Sequence, residues 1–158
     1  MADARFEDGA EAPLRLEARD ADDLRVIAAL VQDAVFAVTE LRWSRRRHEV
    51  AILLNRFRWE DRAAAERAGR GYERVQALIL FRGVLALRAQ GLDPADKDVI
   101  LSLLDIAFEP GPEGAGRVVL TLAGDGALAL EVEALEVVLA DVTRPYLAPS
   151  GKAPDHGA

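Results

Sequence analysis

Apolar residues recur along this chain in two rhythms, and the rhythm changes from place to place. Leu14 and Leu16 alternate with Arg15 and Glu17, the period of a short strand with one buried face. From Leu24 the spacing lengthens. Leu24, Ile27, Ala28, Val31, Ala34 and Val35 recur at intervals of three and four, which puts them on one face of a helix. Asp20 stands where an N-cap is needed, and Asp22 and Asp23 bring negative charge to the positive end of the helix dipole. The spacing predicts a helix from residue 21 to about 33, with Val26 and Leu30 widening its apolar stripe enough to pack across a sheet.

From Val35 the pattern is β-like again, and a charged interruption at residues 44–48 predicts a hairpin whose tip carries Arg45, Arg46 and Arg47. Residues 50–54 of the returning strand are apolar on both parities, as in a strand covered on both faces. Residues 55–59 then alternate, with Arg56 and Arg58 on one face and Phe57 and Trp59 on the other. The rings are expected to anchor the fold. The arginines are expected to form a solvated face paired with Glu49, Glu60 or Asp61. Asn55 marks the change of environment, where its amide is able to satisfy backbone groups at a break in the ladder.

Residues 60–71 have helix propensity without an apolar stripe, so a surface helix and a loop fit equally, and the glycine pair around Arg70 ends any helix. Alternation returns over residues 72–81 and 84–89, with Gly83 between them predicting a bulge or sharp bend. A turn at 93–97 and a strand through the apolar run after it are expected. Residues 117–123 and 127–133 pair as a hairpin through Gly124-Asp125-Gly126, because such a turn needs positive φ. The apolar parity shifts near 133–135, which predicts another bend before the last strand ends near residue 142. The fold class expected is α+β: a mostly antiparallel β-sheet with one main amphipathic helix packed on it. A weak internal echo between the strand-to-hairpin stretches starting at Leu14 and Leu85 fits two related β-rich halves, and equally fits chance in an Ala/Leu/Val-rich chain.

Composition sharpens this picture at its margins. A chain of 158 residues suits one domain, which buries roughly 70% of the surface its unfolded form exposes. Residues 1–13 are expected to be a flexible arm, 14–143 a single domain and 144–158 a flexible tail. Without cysteine there is no disulfide framework, thiolate metal site or cysteine nucleophile. No window approaches the roughly 20 apolar residues of a membrane span, and the acidic start lacks the order of a secretory signal. A cytoplasmic location with no membrane contact is therefore expected. The net charge of −7 is uneven: residues 40–82 hold eleven arginines against six acids, +5 in all, which leaves −12 elsewhere. Such asymmetry marks a candidate interaction face.

The candidate chemistry is sparse. His48 sits in an arginine run that would repel a cation, and His156 lies in the tail, so no metal site is expected. The glycines of residues 111–116 lead into a strand, whereas a phosphate-cradling loop leads into a helix. No motif surrounds Ser44, Ser102 or Ser150. Neither catalytic residues nor a cofactor site is predicted, and an enzyme is disfavoured. What remains is a candidate interaction surface formed by Arg45, Arg46, Arg47, Arg56 and Arg58. An acidic protein partner is the leading expectation, since arginine is a frequent interface anchor. Single-stranded nucleic acid ranks second, because on a strand the rings and arginines point to opposite sides. A small-molecule enzyme with an unrecognised site ranks third.

The segments Leu14-x-Leu16, Asp20-Ala21-Asp22-Asp23-Leu24, Val31-Gln32-Asp33-Ala34-Val35 and Leu53-Leu54-Asn55-Arg56-Phe57-Arg58-Trp59-Glu60 together resemble an uncharacterised family of small bacterial proteins, catalogued as a domain of unknown function (number 2948). The resemblance spans residues 14 to about 141, and its most distinctive part is the Leu-Asn-Arg-Phe-x-Trp-Glu stretch. It implies a bacterial, cytoplasmic, single-domain protein. No activity, cofactor or site residue comes with it.

Overall fold

The computed structural model describes residues 13–147 apart from Pro94, together with Pro154. The arm expected over residues 1–13 lies outside the described residues except for Pro13, as does the expected tail beyond Leu147 except for Pro154. The first strand, β1 (Arg15–Ala18), is followed by helix α1 (Ala21–Leu30). Asp20 caps that helix, its Oδ1 accepting from the Asp23 amide at 2.8 Å. Leu24, Ile27 and Ala28 are buried, so the spacing that predicted the helix also selects its inner face. The helix stops at Leu30, three residues before its expected end. There Asp33 adopts φ 64° and its amide donates to the Leu103 carbonyl at 2.7 Å, which turns the chain into the sheet.

Among the described residues the sheet has eleven strands, and every pairing is antiparallel. After α1 come β2 (Val35–Ala37), β3 (Leu41–Ser44) and β4 (Glu49–Phe57), then the short helix α2 (Arg62–Ala68). The remaining strands are β5 (Glu73–Arg82), β6 (Val84–Gln90), β7 (Ile100–Pro110), β8 (Gly116–Leu122), β9 (Ala127–Val132), β10 (Val137–Asp141) and β11 (Tyr146–Leu147). Their order is β1-β10-β5-β4-β2-β7-β8-β9-β6, with β3 added to β4 and β11 to β5. The fold is thus a dominant antiparallel sheet with two helices among the described residues, where one main helix was expected. Tyr146 and Leu147 pair with Arg74 and Glu73, although the sequence placed them in the tail.

Two bends make the sheet coil around one core. β5 continues into β6 across Gly83 alone, and β9 continues into β10 through residues 133–136, so β6·β9 and β5·β10 are two parts of one long bent pair. The Arg82 amide donates to Glu136 O at 3.0 Å and the Glu133 amide to Gly83 O at 2.9 Å, stapling the corner. Gly83 has φ 68°, which glycine adopts without a steric penalty. Because β9 and β6 at one end of the strand order run through this bend into β10 and β5 near the other end, the inner faces of the long strands meet in one cluster. It includes Val50, Ile52, Leu54, Ile79, Phe81, Leu120, Leu130 and Leu139, with α1 contributing Leu24 and Ile27. No helix among the described residues is long and apolar enough to cross a membrane.

Candidate functional site

The five arginines singled out from the sequence fall into two sets with opposite surroundings. Arg45, Arg46 and Arg47 occupy the turn between β3 and β4, and all three are exposed. None makes an ion pair among the described residues. The turn that carries them is nevertheless held firmly. Ser44 pairs with Glu49 across its base, the Arg47 amide donates to Ser44 Oγ at 3.2 Å, and the His48 amide donates to Arg45 O at 3.4 Å. His48 closes the turn with φ 55°, and its carbonyl accepts from the Val84 amide at 2.8 Å, while its Nδ1 lies 3.3 Å from Val84 O. The hairpin tip is therefore tied to the bend between β5 and β6.

β3 adds to this set. Leu41 and Trp43 stand opposite Ile52 and Val50 and pack against the core, so they hold the strand down. Arg42, opposite Ala51, points to the other face and is exposed. It too makes no ion pair among the described residues. The nearest strand acid at the base of the tip, Glu49, lies 3.8 Å from Arg82, which also pairs with Glu136 at 3.0 Å. Four arginines are thus left uncompensated at one end of the sheet.

Arg56 and Arg58 correct the expectation of a solvated basic face, because Arg56 is fully buried and Arg58 is 8% exposed. Arg56 continues the inner face of Val50, Ile52 and Leu54, and its guanidinium reaches across β5 to β10. There Nε and Nη2 donate to Asp141 Oδ1 and Oδ2, both at 3.0 Å. Nη1 and Nη2 also donate to Glu60 at 2.9 and 2.7 Å. Burial works against the Arg56 charge, yet the hydrogen bonds it donates to Glu60 and Asp141, with the charges of both, outweigh it and hold the guanidinium above its ordinary pKa. Glu60 mirrors this: burial favours its neutral form, but Arg56 keeps it below the usual carboxylate range. Arg58 donates to Glu73 and lies 3.8 Å from Asp61. Arg70 clasps Asp61 with two bonds of 2.7 and 2.8 Å, and those bonds lower the Asp61 pKa.

This lattice, buried at the side chains of Arg56, Arg58, Asp61 and Asp141 and partly open at those of Glu60, Glu73 and Arg70, links β4, β5, β10 and the turn before α2 through guanidinium–carboxylate pairs. Phe57 is buried, as expected, under Trp59 and Tyr72, with ring centroids 4.6 and 5.6 Å away. Trp59 is half-buried and donates through Nε1 to Gln32 O at 3.0 Å, satisfying a carbonyl at the end of α1. Asn55 does lie where β4 changes partner, in the sole register pair with β2. Its Nδ2 donates to the Tyr146 hydroxyl rather than to a broken ladder, and its Oδ1 has no partner among the described residues.

Arg56 shares parity with Val50, Ile52 and Leu54, but Ala51 and Leu53 make the other parity apolar too, so the sequence alone did not place it. Asp141, 85 residues away, left no trace of the contact. Arg42 was the surface arginine missed, and its position between the inward-facing Leu41 and Trp43 was the available clue. Among the described residues no group of three or more His, Asp or Glu side chains is placed to hold a metal ion.

Geometry of this kind defines a sheet-dominated α+β fold with an internal salt-bridge lattice and a hydrogen-bonded hairpin whose arginines make no ion pair among the described residues. The chain belongs to the family described as a protein of unknown function (DUF2948), whose model matches residues 14–156. Neither a search of curated proteins nor one of solved structures finds a match to it.

Proposed function

We propose that this chain is a non-enzymatic protein-interaction module that contacts an acidic partner through the β3–β4 hairpin. The observation carrying this reading is the set Arg42 on β3 with Arg45, Arg46 and Arg47 on the turn that follows: exposed, without ion pairs among the described residues, the turn being hydrogen-bonded at both its base and its flank. A fixed scaffold reduces the ordering cost of binding, and arginine's planar fork recognises carboxylates bidentately. Of the other arginines of the basic segment, Arg56, Arg58, Arg70 and Arg82 are paired with carboxylates of the fold, Arg62 pairs with Glu66 along α2, and Arg67 is exposed on α2 without an ion pair among the described residues. A stacking site for single-stranded nucleic acid finds no support in Phe57, which is buried, or in Trp59, whose indole is engaged by Gln32.

The test is charge reversal at the tip. The triple variant Arg45→Glu, Arg46→Glu, Arg47→Glu is expected to keep the native near-ultraviolet circular dichroism spectrum, because these side chains pack against nothing the fold needs. Its affinity for a fluorescent poly-glutamate, measured by anisotropy, is expected to fall roughly tenfold or more, as loss of several complementary charges implies. Equal binding by the native and reversed proteins would overturn the reading.

A further inference from the structure

β3 is joined to the sheet on one side only. It pairs with β4, and among the described residues no strand lies along its other edge. An edge of this kind presents backbone N–H and C=O groups that form a template for another strand, here with the Leu41 amide already donating to Val38 O. Edge strands are commonly protected by charge, and Arg42 together with the tip arginines does that here. The protection is selective by sign. A second copy of this chain laid along the edge would bring arginine beside arginine, which disfavours self-pairing, whereas an acidic strand would meet complementary charge.

We infer that the free edge of β3 receives an extended acidic peptide segment as an added strand; this rests on the acidic-partner reading and specifies its mode. Leu41 and Trp43 face the core side of β3 while Arg42 and Ser44 face away. The incoming strand therefore meets two different environments on its two faces. Acidic side chains on the outer face lie beside Arg42, and apolar ones on the other face lie beside Leu41 and Trp43. Where the peptide runs past the end of β3, further carboxylates reach Arg45, Arg46 and Arg47. The partner segment is thus an alternating acidic and apolar stretch, with its backbone contributing affinity and its charges setting register.

The experiment uses the full chain, labelled with ¹⁵N, and a six-residue peptide of alternating glutamate and valine. The expected result is binding that slows hydrogen exchange at the backbone amides of β3, with affinity lost roughly tenfold or more when the internal peptide amides are N-methylated. Equal binding of the methylated and unmethylated peptides, abolished for both by the Arg45, Arg46, Arg47 reversal, would overturn strand addition while leaving the acidic-partner reading intact. No binding of either peptide or of poly-glutamate would remove both. Binding of a single-stranded oligonucleotide in preference to the acidic peptides, through the same arginines, would also overturn both.

Discussion

Arg56 carries five hydrogen bonds from a fully buried guanidinium, to Asp141, Glu60 and the Phe57 carbonyl. Burial of an arginine is tolerable when its charge is paired and its donors are matched, and this one meets both conditions. Asp141 is in turn tied to the entry into β1, accepting from the Leu14 amide at 3.1 Å. In the most distinctive segment of the family resemblance, Arg56 and Phe57 thus lie in the interior. Removing the guanidinium would strand Asp141, whose side chain is 6% exposed. Arg56→Met should destabilise the fold by about 3–5 kcal/mol, the cost of breaking a buried pair on one side. Adding Asp141→Asn should restore part of that loss, because the stranded charge disappears while the Leu14 contact keeps an acceptor. Urea unfolding of the two variants checks this, and a single variant as stable as the native chain would show that the lattice does not clamp the sheet.

At the scale of elements, the bends decide the architecture. A Cβ at Gly83 would meet Glu133 Cγ at 3.1 Å, and the residue's φ of 68° is strained for any other side chain. Gly83→Ala should cost about 1–2 kcal/mol, the penalty of a left-handed alanine; an unchanged urea midpoint would mean that the corner adapts freely. That bend was legible in the sequence because a glycine interrupted an alternating run. So was the β8–β9 turn, where Gly124 and Asp125 have the positive φ that hairpin required. Other elements left weaker traces. The segment before the tip is split into β2 and β3 by a 3-10 turn at residues 38–40, and β2 bridges β4 to β7, a pairing that local pattern does not encode. α2 buries only Ala65 and is held by polar contacts, Arg70 to Asp61 and Tyr72 to Glu66, so no apolar stripe announced it. The face of Arg56 was misread for a related reason. Residues 50–54 are apolar on both parities, and the inner parity is settled only by strands elsewhere in the chain.

Over the whole molecule the charges act at different ranges. The chain carries −7 in total, while the hairpin gathers Arg42, Arg45, Arg46 and Arg47 without local compensation. An acidic partner of the kind proposed would therefore be repelled by the molecule and attracted by one end of it. Screening separates the two. At about 0.01 M salt, fields extend roughly 30 Å and the whole negative molecule is felt; at about 0.1 M they reach roughly 10 Å, and an approaching partner senses mainly the hairpin. Near 1 M the range shrinks to roughly 3 Å and the attraction itself is screened. Association with poly-glutamate, followed by stopped-flow anisotropy, should accordingly be fastest at intermediate ionic strength. The tip reversal should abolish that maximum, since no attractive end remains for low screening to mask. A rate that falls steadily with salt would instead show that the hairpin dominates at every distance, and that the acidic remainder of the molecule plays no part in selecting the partner.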